Sequence, residues 1–263
     1  QTVEFDRPPS VAAMLAKAAP KAFRAPDPAS GLPEREARLQ VTHDIGRLAA
    51  YDHVCGFTLR DAVPATWLHV QTFGLQMFLI AQPDFPASLA GIVHATNSMR
   101  LHRPVSVAEP LSVRVWAEAL RPHRRGVLID LVGEVSVDGE LVWGGRSGYL
   151  FRGPRPPGEP DAVARLAAPE AEPSGVWRLA SDLGRRYAAV SGDTNPIHLS
   201  PLTSWLGGFR RPIVHGMWTH ARASAALEPG LPGAYGVDVA FTRPIGLPGK
   251  VWFAADRDGD ATR

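Results

Sequence analysis

The sequence predicts an α+β fold built from two related halves, each a buried helix with an antiparallel sheet around it. Three observations carry that prediction. Short motifs recur in the same order along both halves. Each half holds one long segment of helical character. Runs that alternate with period two follow each of those segments.

The recurrence comes first along the chain. Asp44-Ile45-Gly46-Arg47 is echoed by Asp182-Leu183-Gly184-Arg185. Tyr51 to Gly56-Phe57 is echoed by Tyr187 to Gly192-Asp193, and Leu68-His69-Val70 by Val214-His215-Gly216. Arg103-Pro104-Val105 then finds its counterpart in Arg243-Pro244-Ile245. Kept order and near-constant spacing indicate a duplicated unit. The Pro/Gly-rich run from Gly153 to Pro160 reads as a linker. The predicted division is 1–152, a linker over 153–172, and 173–263.

Within the first half, residues 68–82 are nearly all apolar and free of proline, long enough for a buried helix. In the second half, residues 215–227 are alanine-rich, and Pro229-Gly230 stops the helix. Strand patterns follow. Leu111 to Trp116 alternates, residues 126–137 are rich in valine, and Asp138-Gly139 marks a hairpin turn into 140–143. Residues 235–242 and 250–255 read the same way. The first half runs far past Pro104, whereas the second stops soon after Pro244. Two strands are therefore expected to be absent after Asp256, with Asp258-Gly259-Asp260 as the turn toward them. A sheet left open in that way exposes unpaired edges.

Composition narrows the function. With 263 residues and 45% hydrophobic content, the chain suits one large domain or two small ones. Net charge is only +2. Of its 28 basic residues, Lys17, Lys21 and Lys250 alone are lysines. No dense basic run with interleaved aromatics is present, so nucleic acid is not the expected partner. A single cysteine, Cys55, excludes a disulfide framework and a cysteine-rich zinc site and fits a reducing cytoplasm. The apolar stretch 11–15 is too short to span a bilayer and lacks the flanks of a secretory signal.

The chemistry concentrates in Ser191-Gly192-Asp193-Thr194-Asn195-Pro196-Ile197-His198. A carboxylate and an imidazole five positions apart can hold one water between them. That is the arrangement needed to add water to a double bond or remove it. Asp193 is the candidate general base, taking a proton as the water oxygen attacks. His198 holds the same water and passes a proton to the neighbouring carbon, since neutral imidazole both donates and accepts. Asn195 orients Asp193 or a loop carbonyl, and Pro196 stiffens the turn. Gly216 opens the second predicted helix, where free N–H groups favour negative charge. An N–H aimed at a developing oxyanion there is worth about 3 kcal/mol. Arg210 and Arg211 are candidate contacts for phosphate.

Tyr187 to His198, followed by Arg211-Pro212-Ile213-Val214-His215-Gly216, resembles the MaoC-like family of (R)-specific enoyl-thioester hydratases and dehydratases. The resemblance implies a double hotdog, two long central helices each wrapped by a curved antiparallel sheet. It also implies a trans-2-enoyl thioester substrate on coenzyme A or acyl carrier protein, with no metal or redox cofactor. A monomeric pseudo-dimer or a homodimer is the expected state. The first half carries Phe57 where Asp193 stands, Leu59 where Asn195 stands, and Val63 at the place of His198. It is expected to be non-catalytic and to shape an acyl tunnel, with Phe73, Met77 and Phe78 as possible lining. Many members carry Asp where this chain has Ser200. Two alternatives stay open: an acyl-thioester hydrolase, and a non-catalytic subunit that binds acyl groups or scaffolds a partner.

Overall fold

The computed structural model describes residues 1–11, 13–14, 27–88, 91–163 and 165–263. Ala12, Leu15, Lys17, Pro20 and Lys21, from the stretch discussed above and its flank, lie outside the described residues, as does Ala164 of the linker. In chain order the first half supplies β1 (Thr2–Phe5), β2 (Glu36–Val41), α1 (Ile45–Cys55), α2 (Ala65–Ile80), β3 (Ile92–Leu101), β4 (Leu111–His123), β5 (Gly126–Val137) and β6 (Glu140–Arg152). The second supplies β7 (Gly175–Leu179), α3 (Leu183–Ser191), α4 (Pro201–Leu206), α5 (Gly216–Leu227), β8 (Tyr235–Ala240), β9 (Gly249–Phe253), β10 (Arg257–Asp258) and β11 (Ala261–Thr262).

Local chemistry places these elements. Asp44 caps α1 by accepting the Arg47 N–H at 3.0 Å. Gly56 ends that helix at φ +83° and Gly192 ends α3 at φ +81°, the left-handed cap that glycine adopts at no steric cost. Between β5 and β6, Asp138 and Gly139 both have positive φ, as a type I′ hairpin requires. The central helix starts at Ala65, earlier than the apolar run suggests, because Pro64 precedes it in extended conformation. Strand β4 continues past Trp116 through an irregularity between Glu118 and Arg121, where Ala119 has φ +54°.

Helix α2 is apolar on most sides and is buried along nearly its whole length. A seven-stranded sheet in the order β1-β2-β4-β5-β6-β3-β8 provides its cover. All neighbours in it are antiparallel except β1 and β2. The last strand belongs to the second half: β8 pairs with β3 from Thr96↔Ala240 to Leu101↔Tyr235. The halves also meet through helices. Tyr51 of α1 and Tyr187 of α3 lie 6.1 Å apart, Arg47 Nε donates to the Val190 carbonyl at 2.7 Å, and the Trp218 indole donates to the Val54 carbonyl at 3.0 Å. One apolar core runs through both. In the second half β7 pairs with β9, and among the described residues no strand stands between β9 and β8, where the first half has β5 and β6. Residues around Gly259 form a short hairpin between β10 and β11.

Backbone pairing corrects the internal alignment. Val63 N–H donates to the Val105 carbonyl at 2.9 Å, and Val214 N–H donates to the Ile245 carbonyl at 2.8 Å. Ala62 bridges Ser106 as Ile213 bridges Gly246. Val63-Pro64-Ala65, not Leu68-His69-Val70, is thus the counterpart of Val214-His215-Gly216. Val63 does not stand at the place of His198. The second half is longer between Ser191 and Gly216, and the extra chain holds the 3-10 turn Pro196–His198 and helix α4.

Helix α2 turns a polar stripe, His69, Thr72 and Gln76, toward the junction. Tyr149 O–H donates to Gln76 Oε1 at 2.9 Å, Gln76 Nε2 to Thr72 Oγ1 at 3.0 Å, and Thr72 Oγ1 to the His69 carbonyl at 2.8 Å. The opposite side packs on the N-terminal segment, with Phe78 edge-on to Phe5 at 4.9 Å and Gly74 against Pro9. Cys55 is fully buried, and burial raises its thiol pKa, so it is no nucleophile.

Burial also holds the junction histidines neutral, lowering His220 to about 4 and His215 to about 3. Unfolded, both take up protons near the ordinary 6.5. The unfolded chain therefore binds more protons below that pH, and stability falls as pH drops from 6.5 toward 4. The slope is about 1.4 kcal/mol per pH unit for each group. Urea unfolding across this range is expected to give a flat stability above 6.5 and a steep loss below it. Equal stability at both ends would contradict the burial of these rings.

Candidate active site

The site is assembled by a run of local bonds after α3. Ser191 Oγ accepts the Asp193 N–H at 3.2 Å, Asp193 Oδ1 accepts the Asn195 N–H at 3.1 Å, and Asn195 Oδ1 accepts the Ile197 N–H at 3.3 Å. Each bond reaches two residues ahead, the self-bonding that makes Asp and Asn turn formers. Asn195 thereby caps the 3-10 turn rather than reaching the Asp193 carboxylate with its side chain. Pro196, first in that turn, needs no N–H partner.

That turn delivers His198 to a buried position, where it is 8% exposed. Its Nδ1 lies 2.7 Å from the Ile213 carbonyl, so Nδ1–H donates and Nε2 keeps its lone pair. Ile213 N–H returns a bond to the Ile197 carbonyl at 3.2 Å. Helix α3 comes close behind: a Cβ on Gly184 would stand 2.0 Å from the His198 carbonyl oxygen. Only glycine permits that approach.

His215, immediately before α5, completes the cluster. It is 1% exposed, and its Nε2 lies 3.0 Å from the Asp193 carbonyl and 3.9 Å from Asp193 Oδ2. Its ring stacks on His198 at 3.7 Å and 26°, with Tyr187 4.9 Å away. Burial lowers the His198 pKa, which the Asp193 carboxylate and the Ile213 carbonyl only partly offset. Both imidazoles are neutral near pH 7. The Asp193 side chain remains a quarter exposed.

Donor atoms of Asp193, His198 and His215 lie within 4.8 Å of one another. One water placed between two atoms at that separation can hydrogen-bond both. A metal ion in the same place would compete with the bond between His215 Nε2 and the Asp193 carbonyl. Gly216 is the first residue of α5, whose N-terminus has no side-chain cap. A Cβ there would come within 3.0 Å of the Phe241 ring. Arg210 and Arg211 are exposed on the approach to this segment, and Arg211 Nη1 donates to the Pro248 carbonyl at 3.0 Å.

In the sequence His215 stands within a motif without a role of its own, and Gly184 and Arg47 stand out only as members of the repeat. Arg47 crosses from the first half and holds the end of α3 through the Val190 carbonyl. The Gly-Arg pair repeated in both halves was the available signal for these two residues.

Residues 168–260 match the MaoC like domain. The 3-hydroxyacyl-thioester dehydratase X of Mycobacterium tuberculosis is 37% identical over 237 residues, which span 87% of this chain and 82% of that protein. The crystal structure of HtdX from Mycobacterium tuberculosis aligns with a TM-score of 0.75 at 34% identity, over 86% of this chain and 91% of that one. A Mycobacterium tuberculosis protein described as a double hotdog aligns at a TM-score of 0.51 and 15% identity, over 85% of this chain and 84% of that one, a likeness of fold alone. The chain has the double hotdog fold and belongs to the MaoC-like family.

Proposed function

We propose that this chain is a hydro-lyase that interconverts trans-2-enoyl thioesters and (R)-3-hydroxyacyl thioesters, with Asp193 and His198 as its catalytic pair. The observation that carries the assignment of the pair is the grouping of Asp193 and His198 ligand atoms within 4.8 Å, with the His198 ring fixed on the Ile213 carbonyl through Nδ1. The activity is supported by the relationship to 3-hydroxyacyl-thioester dehydratase X.

In the hydration direction Asp193 and His198 Nε2 each accept a hydrogen bond from one water. As its oxygen bonds the β-carbon, the pair removes a proton from the water. His198 begins neutral with its one N–H engaged by Ile213, so it has no Nε2 proton to give at the outset. The proton that reaches the α-carbon is the one taken from the water, returned by the same pair. The C=C bond becomes a single bond, with C–O and C–H bonds formed and one O–H broken. Dehydration runs these steps backward.

The Gly216 N–H, at the uncapped start of α5, is proposed to receive the thioester oxygen as it gains charge. Asn195 keeps the catalytic turn rigid. Arg210 and Arg211 are proposed to meet phosphate of coenzyme A or of a carrier-protein arm. The reaction as proposed needs no metal and no redox cofactor. We place the protein in the cytoplasm, as a monomeric pseudo-dimer or a homodimer. Among the described residues no helix is long and apolar enough to cross a membrane.

Activity is followed by loss of the conjugated thioester absorbance of crotonyl-coenzyme A, with a thiol reagent in parallel. Asp193→Asn and His198→Ala are each expected to lower kcat/KM by about 10² to 10⁴-fold, with no thiol release from the parent. Wild-type rates in both would sink the assignment of the pair, and thiol release would point to hydrolysis. The pH profile offers a second check. Hydration needs neutral His198, whose pKa lies below 6.5, so kcat/KM should hold steady down through 6.5 and fall only at more acid pH. An acid limb centred above 6.5 would contradict this. Gly184→Ala, far from any substrate contact in this scheme, should lower kcat by pushing His198 out of register while KM changes little. Unchanged kcat would show the approach of α3 to be dispensable.

A further inference from the structure

The layer where the two halves meet beside Asp193 is polar where an alkyl chain would call for apolar lining. His69, Thr72 and Gln76 of α2, His94 and Asn97 of β3, Ser147 and Tyr149 of β6 and His220 of α5 all contribute. His94 stacks on Tyr149 at 4.5 Å, faces His69 at 6.1 Å, and meets Phe241 at 5.1 Å. Phe241 is the ring that crowds Gly216. The layer therefore begins one ring beyond the proposed oxyanion position, and the field of Asp193 reaches both His69 and Tyr149.

Three of these groups satisfy one another in the Tyr149, Gln76 and Thr72 chain. Three atoms do not: His94 Nε2, Asn97 Oδ1 and His220 Nδ1 are buried without a hydrogen-bond partner among the described residues. Asn97 is 1% exposed and His220 4%. Asn97 already donates its amide to Ser147 Oγ at 3.2 Å, which leaves its oxygen as an unmet acceptor. A neutral imidazole nitrogen accepts when the ring proton sits on the other nitrogen, so His94 Nε2 and His220 Nδ1 can each take a donor as Asn97 Oδ1 does. Buried polar atoms are nearly always paired, and an unmet amide oxygen with two unpaired imidazole nitrogens in one layer beside a reactive pair calls for a partner that donates.

We infer that the acyl group processed here carries a hydrogen-bond donor, a hydroxyl being the smallest, which His94, Asn97 and His220 receive between the halves. This rests on the hydratase reading and names the substrate class within it. A site built to bond a hydroxyl discriminates strongly against the analogue that lacks it, because its own acceptors are then left unpaired. The expected lining by Phe73, Met77 and Phe78 gives way to the polar stripe of α2.

The test compares two trans-2-enoyl-coenzyme A thioesters of equal length, one ending in a hydroxyl and one in a methyl group, with crotonyl-coenzyme A as reference. At least a ten-fold preference in kcat/KM for the hydroxylated substrate is expected. His220→Leu and His94→Leu should erase that preference, and His220→Gln, which keeps a polar side chain, should retain part of it. Thermal unfolding separates a binding role from a structural one. Replacing an unpaired buried group by leucine should leave Tm unchanged or raise it, whereas a structural histidine would lower it. Crotonyl turnover with equal rates on the two longer substrates, or a lowered Tm in both leucine variants, overturns this inference and leaves the hydratase reading intact. Loss of turnover on all three overturns both.

Discussion

The 2.7 Å bond from His198 Nδ1 to the Ile213 carbonyl is the contact on which the site depends. It fixes the ring, decides the tautomer and leaves Nε2 as an acceptor. The reciprocal bond from Ile213 N–H to the Ile197 carbonyl makes a bracket between the 3-10 turn and the segment entering α5. His215 tightens the bracket by stacking on His198 and binding the Asp193 carbonyl. With both rings buried, neutrality follows from desolvation.

Two copies of one unit form the scaffold, and the copies differ where chemistry is needed. Pairing of Val63 with Val105 and of Val214 with Ile245 shows that strands and helices enter both units in the same way. The second unit inserts the turn and α4 between its two helices, and among the described residues the first has no counterpart to them. The first half contributes to the site segment. Arg47 holds the C-terminal end of α3, where a cation meets the negative end of the helix dipole, and β3 lends its edge to β8. Ser200 serves its local purpose as well, capping α4 by accepting the Thr203 N–H at 3.2 Å.

What could be read from the chain was what is local. Asp193, Asn195 and His198 fall within one turn, so their spacing alone brings them together. The hairpin at Asp138-Gly139 and the helix ended by Pro229-Gly230 are likewise encoded in adjacent residues. What could not be read depends on contacts distant in sequence. His215 acquires its place only when Ile213 pairs with Gly246, and Gly184 matters because His198 lies behind it. Strand β3 escaped notice because its inward side chains include His94 and Asn97, which break the apolar alternation. The same residues form the polar layer, and the stripe of His69, Thr72 and Gln76 at helical spacing was a visible hint of it.

The central claim is that one water, held on one face by Asp193 and His198, supplies both the oxygen and the returned proton. Hydration of crotonyl-coenzyme A in deuterium oxide tests it directly, with the relative configuration at the α- and β-carbons read by NMR of the product. A single water and a single face predict syn addition, deuterium and oxygen entering from the same side. Anti addition, or deuterium scrambled over both faces, would mean that the proton comes from elsewhere and that the pair does not act on one water.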